Sequence, residues 1–194
     1  MARSALMNVM VNAAMKAGRG LTRDFGEVEN LQVSRKGPAD FVTVADKRAE
    51  KVVMDELYTA EKGNGAWLNN RRLRVASRKH MSEAVLSTGI NSQGRALDTL
   101  QLRQLAHITP AVAGIRRSGS ISIDLAWLAS GRFDGVWEAG LKPWDVAPGL
   151  LMVKEAGGFV SDFAGGVNSI DKGEVVAGNE PIQSALLKAI QAVN

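Results

Sequence analysis

The stretch from Glu138 to Gly158 sets the strictest limit on what this chain can fold into. An apolar run, Val136-Trp137, reaches Glu138 and breaks at Gly140. Lys142-Pro143-Trp144-Asp145 follows, and an apolar segment of helical length then runs to Glu155-Ala156-Gly157-Gly158. A strand therefore hands over to a helix through a short loop, and the rest of the chain must shelter both. The helix is expected to begin near Asp145. Unpaired N–H groups and the positive end of the helix dipole keep an aspartate there ionised and fixed in direction. From spacing alone an ordinary helix cap is the better reading of Asp145, and a hard-cation ligand is the sharper one. Pro148 agrees with a start at Asp145, because a proline in the first turn loses no hydrogen bond.

Strand and helix alternate elsewhere too. Leu6, Val9, Met10, Ala13, Ala14 and Ala17 form one face of an opening helix, closed by Gly18 and Gly20. Gln32-Val33-Ser34 reads as a short strand and Lys36-Gly37-Pro38 as a turn. Thr43 and Asp46 have capping-box spacing at the start of a helix from Val44 to about Met54. Glu56–Glu61 and Ala66–Leu68 read as strands around the hairpin turn Lys62-Gly63-Asn64-Gly65. Arg71–Val75 reads as an edge strand, Ala84–Gly89 as a buried strand, and Leu97–Ile108 as a helix stopped by Pro110. Val112–Arg116 is expected to be strand, with a helix from about Ser120 to Ser130 ended by Gly131. Strands Val136–Glu138, Phe159–Asp162 and Val175–Ala177 and a last helix, Ile182–Val193, complete a mixed α/β pattern. One join conflicts with normal connection lengths: near Met54 and Asp55 a helix passes into a strand without a loop.

What is absent narrows the chemistry. The 194 residues include no cysteine and two histidines, His80 and His107. No disulfide frame, thiol nucleophile or Cys/His zinc site can be built from them, so a metal would be held mainly by oxygen, as Mg²⁺ is. No phosphate loop of the Gly-x4-Gly-Lys type and no dinucleotide fingerprint occurs. A net charge of +4 suits an anionic small substrate or weak contact with nucleic acid. No apolar run approaches the roughly 18 residues that span a bilayer, and a cytoplasmic location is expected.

Three further places merit a role beside their plain structural reading. Arg116-Arg117-Ser118-Gly119-Ser120 joins a strand to a helix start; it is an ordinary turn, or a set of N–H groups offered to an anion or sugar hydroxyls. Glu138 is a strand-end carboxylate, or one facing a ligand beside Asp145. Asp46 serves its capping box, and the same carboxylate can orient a water.

With these pieces named, the chain resembles the inositol monophosphatase family, in particular its bacterial members, which include the extragenic-suppressor proteins. Trp144-Asp145-Val146-Ala147 and Glu155-Ala156-Gly157-Gly158 match the family's carboxy-terminal signature. Ile115–Ser120, Asp134-Gly135 and Glu138 fall where the family has its strand, helix start and substrate glutamate. Asp40–Asp46 matches its Asp-x-Val-Thr-x-x-Asp element and Glu61–Ala66 its hairpin. The resemblance implies a layered αβαβα sandwich, a single domain over 1–194, forming a homodimer. It implies a Mg²⁺-dependent phosphomonoesterase acting on a small phosphorylated polyol, most naturally inositol monophosphate, with metal-activated water as nucleophile. Asp145 would be a metal ligand, Glu138, Gly119, Ser120 and Ile121 would line the substrate pocket, and Asp46 would sit near the attacking water. Ile121 is bulkier than the small residue usual there, and Pro148 replaces a common alanine.

One departure is severe. The family's Glu-Glu pair and Asp-Pro-x-Asp-Gly-Thr loop are absent, and they belong at the irregular join near residues 54–55. Either a segment is left out of this sequence or the chain is a shortened form. An omitted segment is expected, since loss of a sheet centre would expose core surface and the rest of the chain shows no compensating change. The alternatives to an enzyme are an RNA or transcription-complex binding protein, using Arg71, Arg72, Arg74, Arg78, Lys79 and His80 as a phosphate-contacting stripe, and an inactive truncated paralogue.

Overall fold

A computed structural model describes residues 7–16, 35–37, 40–41, 56–90 and 99–193. The chain divides into two units, Met1–Tyr58 and Thr59–Asn194. In the first, residues 7–16 form helix α1, and strands β1 (Arg35–Gly37) and β2 (Asp40–Phe41) pair antiparallel. Along α1, Val11 is buried while Val9 and Met10 are exposed, so the expected apolar face around Val9 and Met10 is corrected to one through Val11. This helix carries apolar residues on two faces, and periodicity alone could not choose between them. Lys36 and Gly37 belong to a strand, not to the expected turn; a residue before proline is pushed towards extended backbone, and Pro38 follows Gly37. Gln32–Ser34, the Val44–Met54 helix, Asp46 and the join at Met54–Asp55 lie outside the described residues.

An antiparallel meander, β3 (Tyr58–Glu61), β4 (Gly65–Leu68) and β5 (Arg71–Arg72), opens the second unit, all of it but Tyr58 lying there. The expected edge strand to Val75 stops at Arg72. Val75 N–H instead bonds the Ala156 carbonyl at 3.2 Å, and the Asn179 amide donates to the Ala76 and Arg78 carbonyls at 2.7 Å each. Those groups are satisfied from outside any ladder, so the segment has no need of one.

A five-stranded mixed sheet forms the centre, in the order β7 (Gly114–Arg116), β6 (Val85–Thr88), β8 (Gly135–Ala139), β10 (Glu174–Gly178), β9 (Phe159–Ser161). Strand β6 is parallel to both neighbours, whereas β10 is antiparallel to β8 and β9. Alternation along the strands separates two faces. Leu86, Trp137 and Val176 share one with Ile108 of helix α2 (Thr99–Ile108) and with Ile182, Leu186 and Ile190 of the last helix (Glu180–Gln191) in one buried cluster. Each such side chain contributes about 1.5–3 kcal/mol by leaving water. Ser87, Val136, Glu138 and Val175 point the other way.

Two helices tightly packed on each other cover that second face: α3 (Ile121–Ala129) and α4 (Pro143–Glu155). A Cβ on Gly149 would meet Leu125 at 2.6 Å, so glycine sets how closely they cross. Helix α4 also packs on β4 of the meander. The layers of this unit therefore run helices, mixed sheet, helix pair, small sheet, an α/β sandwich. A four-residue helix, α5 (Ser169–Lys172), precedes β10, and the Glu180–Gln191 helix is α6, capped by Asn179, whose side chain accepts from Ile182 N–H at 3.0 Å.

Helix α4 starts two residues before the expected position. Pro143 takes its first position after the extended residue Lys142, where a missing N–H costs nothing. Pro148 consequently lies inside the helix rather than in its first turn, and the Trp144 carbonyl loses its N–H partner. The neighbouring helix braces this weakened turn, with Ser122 Oγ donating to the Asp145 carbonyl at 2.8 Å.

Candidate active site

Strands β6, β7 and β8 are mutually parallel, so their carboxyl ends open on one edge of the sheet. Chain leaving such ends forms a crevice, the usual place for a ligand in an α/β sheet. The crevice collects Ser87 and Thr88 at the end of β6 with Gly89 beyond them, Arg117–Ser120 after β7, and Glu138 near the end of β8 with the loop to Asp145.

Glu138 is 7% exposed. Its carboxyl lies against Gly89, where any Cβ would overlap it, so only glycine leaves it room. Gly89 is held from both sides: its N–H bonds Glu138, and its carbonyl accepts from the Gln101 amide. Burial pushes the Glu138 carboxyl from 4.5 up to about 7, and the Asp124 carboxyl pushes the same way. The Arg117 guanidinium and the Gly89 N–H pull it back, and Asp145 adds a smaller upward push. At neutral pH Glu138 therefore exchanges between donor and acceptor, which suits a polyol hydroxyl.

Gly119, with φ +94, turns the chain from β7 into α3, a backbone shape that side chains resist. Ser120 stands at the helix N-cap without a side-chain cap bond; the Ile123 and Asp124 N–H groups turn back to its carbonyl, which leaves those of Ile121 and Ser122 for solvent or ligand among the described residues. Ile121 is 9% exposed and belongs mostly to the core, so its expected place lining a pocket reduces to its backbone and the edge of its side chain.

Asp145 is the third residue of α4 and half-buried. The cap position is Lys142, and no side-chain cap bond closes this helix. The capping reading of Asp145 is therefore set aside. Among the described residues no group of three or more His, Asp or Glu side chains could hold a metal ion. A single carboxylate does not make a hard-cation cluster, so the described donor set does not fit one. Asp46 lies outside the described residues.

Sequence reading missed Asp124, a buried carboxyl inside α3 at 1% exposure, whose pKa is raised by burial against opposing hydrogen bonds to Ser118 and Ser87. The signal was present: one aspartate amid Ile121-Ser122-Ile123 and Leu125-Ala126-Trp127-Leu128. Gly89 and Arg117 were also unassigned. Of the basic stripe, Arg78 is committed to buried Asp134 at 3.0 Å and Arg72 stands over the Trp67 ring at 6.0 Å. Arg71, Arg74, Lys79 and His80 are exposed. Among the described residues no helix is long and apolar enough to cross a membrane.

Known proteins agree with this architecture. The sequence matches the model of the inositol monophosphatase family over residues 51–194. It is 43% identical to an inositol-1-monophosphatase of Mesorhizobium japonicum, covering 98% of each chain. That match runs over 260 positions against 194 residues here, so the relative holds residues with no counterpart in this chain. A Nus factor SuhB of Pseudomonas aeruginosa is 45% identical across 80% of this chain and 56% of its own length. The crystal structure of the extragenic suppressor protein suhB from Bartonella henselae superimposes with a TM-score of 0.82 at 37% identity, covering 97% of this chain and 99% of that one. With the sandwich, the crevice and these matches in agreement, the chain belongs to the inositol monophosphatase family.

Proposed function

We propose that the protein serves the hydrolysis of a small phosphomonoester, with inositol monophosphate the leading substrate, as a Mg²⁺-dependent phosphomonoesterase of the bacterial type. The observation that carries this reading is the convergence, at one sheet edge, of buried Glu138, the Gly119–Ser120 turn and an Asp145 carboxyl not used as a cap. Glu138 would hold a polyol hydroxyl, the α3 amide groups would receive an oxygen, and Arg117 would balance negative charge. Asp46 is assigned the attacking water. The family is generally metal-dependent. Because the described donors do not fit a cluster, metal binding rests on carboxylates beyond them. We assign these to a segment that belongs near residues 54–55 of a single 1–194 domain, joining Asp145; the 260-position match to a relative supports such a segment.

The test is phosphate release from inositol monophosphate with and without Mg²⁺. The 194-residue chain is compared with one carrying the relatives' stretch at residues 54–55, each with Asp145→Asn. Metal-dependent release that disappears in Asp145→Asn, whose side chain makes no hydrogen bond among the described residues, upholds the reading; release indifferent to Asp145 and Mg²⁺ refutes it. The remaining assignments, a homodimer and a cytoplasmic location, are read by light scattering and by fractionation.

A second reading has its own observation. The exposed Arg71, Arg74, Lys79 and His80 lie close together in sequence, and some relatives are named Nus factor SuhB. RNA affinity that falls steeply with salt and survives Asp145→Asn would favour a transcription-complex role.

A further inference from the structure

A short stretch, Ala139–Lys142, separates Glu138 on β8 from the start of α4, which carries Asp145. Where that stretch lies therefore sets how the two carboxyls stand to each other. Its support comes from a neighbour that contains neither. Ala139 pairs with Glu174 at the start of β10, and the Leu141 N–H donates to the Gly173 carbonyl at 3.1 Å. Gly173 is buried and closes α5 in the left-handed conformation, at φ +64, with its N–H on the Ser169 carbonyl. A Cβ there would meet the Leu141 carbonyl oxygen at 2.5 Å, about 1 Å short of ordinary contact. Glycine is thus required twice, by the backbone shape and by the loop resting on it.

The seat is itself anchored. Lys172, the last residue of α5, pairs with buried Asp162 at 2.9 Å, and that carboxylate also accepts the Ala164 and Gly166 N–H groups at 2.9 and 2.8 Å. On the other side the Glu174 carboxylate accepts the Phe163 N–H at 3.2 Å. Backbone held on both sides meets the loop with no side chain between them, so no change of rotamer can absorb a displacement.

We propose that Gly173 is a positioning residue of the crevice: its bare backbone seats the 139–142 loop and so sets the place of Glu138 relative to Asp145. Its bearing on substrate rests on the pocket assignment made above. Gly173 touches no substrate; it acts through Leu141.

Three variants of the full chain test this. Gly173→Ala drives a methyl group into the loop. Gly63→Ala, at φ +80 with open space around its Cβ, carries comparable backbone strain without a collision and is the control. Leu141→Pro removes the N–H from the loop side, and decides the matter should Gly173→Ala give no cooperative urea transition. Amide exchange followed by ¹⁵N NMR is expected to show Leu141 protected in wild type and exchanging about tenfold faster in Gly173→Ala. The ¹³C resonance of the Glu138 carboxyl, identified by its loss in Glu138→Gln, should move in Gly173→Ala and Leu141→Pro and stay in place in Gly63→Ala. Calorimetry with inositol monophosphate should show binding about tenfold weaker in the first two and within about twofold of wild type in the control. A Leu141 amide unprotected in wild type, a Glu138 resonance unmoved by the variants at the seat, or equal weakening by Gly63→Ala overturns the proposal. Should wild type bind no inositol monophosphate, the pocket assignment fails, while the exchange and the Glu138 resonance still decide whether Gly173 seats the loop.

Discussion

Replacing Glu138 by glutamine should make the protein more stable in alkali than wild type, by an amount the site geometry sets. Glu138 is 7% exposed and its carboxyl is pushed from 4.5 up to about 7, chiefly by burial. The unfolded chain ionises this group near 4.5 and the folded chain resists until about 7. The stability it contributes is therefore complete below pH 4.5 and is lost as pH rises through 7. At about 1.4 kcal/mol per pH unit, the loss comes to about 3 kcal/mol. If Asp124 is neutral its repulsion drops out, and the figure shrinks without changing sign. The assay is urea unfolding from pH 4 to pH 8, followed by tryptophan fluorescence. All four tryptophans (Trp67, Trp127, Trp137 and Trp144) lie in the second unit, so the signal reports the unit that holds the site. Subtracting the Glu138→Gln curve cancels every titrating group not coupled to Glu138. A difference that stays flat across this range, or that grows towards acid, would refute the argument that burial dominates at Glu138.

Gly89→Ala should drive a methyl group into the Glu138 carboxyl, weakening substrate binding about tenfold while the sheet survives; calorimetry with inositol monophosphate checks it. Gly149→Ala should cost about 1–3 kcal/mol in the same urea assay, because its Cβ would sit 2.6 Å from Leu125 and force α3 and α4 apart. Asp162→Asn should destabilise at neutral pH and become harmless in acid: Lys172 at 2.9 Å and the Ala164 and Gly166 N–H groups hold the Asp162 carboxyl below its ordinary range, so its contribution exists above that range and fades as pH falls. A thermal unfolding series from pH 3 to pH 7 reads the two arms, and equal melting points at pH 7 would count against it.

Elements were legible wherever a local pattern and a punctuating residue agreed. The hairpin around Gly63-Asn64-Gly65, the strand Val85–Thr88 and the helix opened by Asn179 and Pro181 stand where turn chemistry and apolar period place them. Reading failed where two residues competed for one role. Pro143 and Pro148 could each mark the first turn of α4, and the earlier one does, because Lys142 ahead of it is extended. Val75 reads as strand until the Ala156 carbonyl, distant in sequence, takes its N–H. Such tertiary capture leaves no trace in a local window.

The site divides along the same line. Glu138, Gly119 and Asp145 could be picked out because each stands at an element boundary, where polar residues are expected to face outward and a matching motif can be recognised. Asp124 and Gly89 could not, since their roles exist only once β6, β7 and α3 are brought side by side. A buried acid within an apolar helix is costly unless something distant repays it with a hydrogen bond, and that cost is itself a usable signal. Applied to α3, it singles out Asp124 from the sequence alone. The same test passes over Asp145: half-buried at a helix start and without a side-chain hydrogen bond among the described residues, it leaves no cost to detect, and only the motif around it marks it as a candidate.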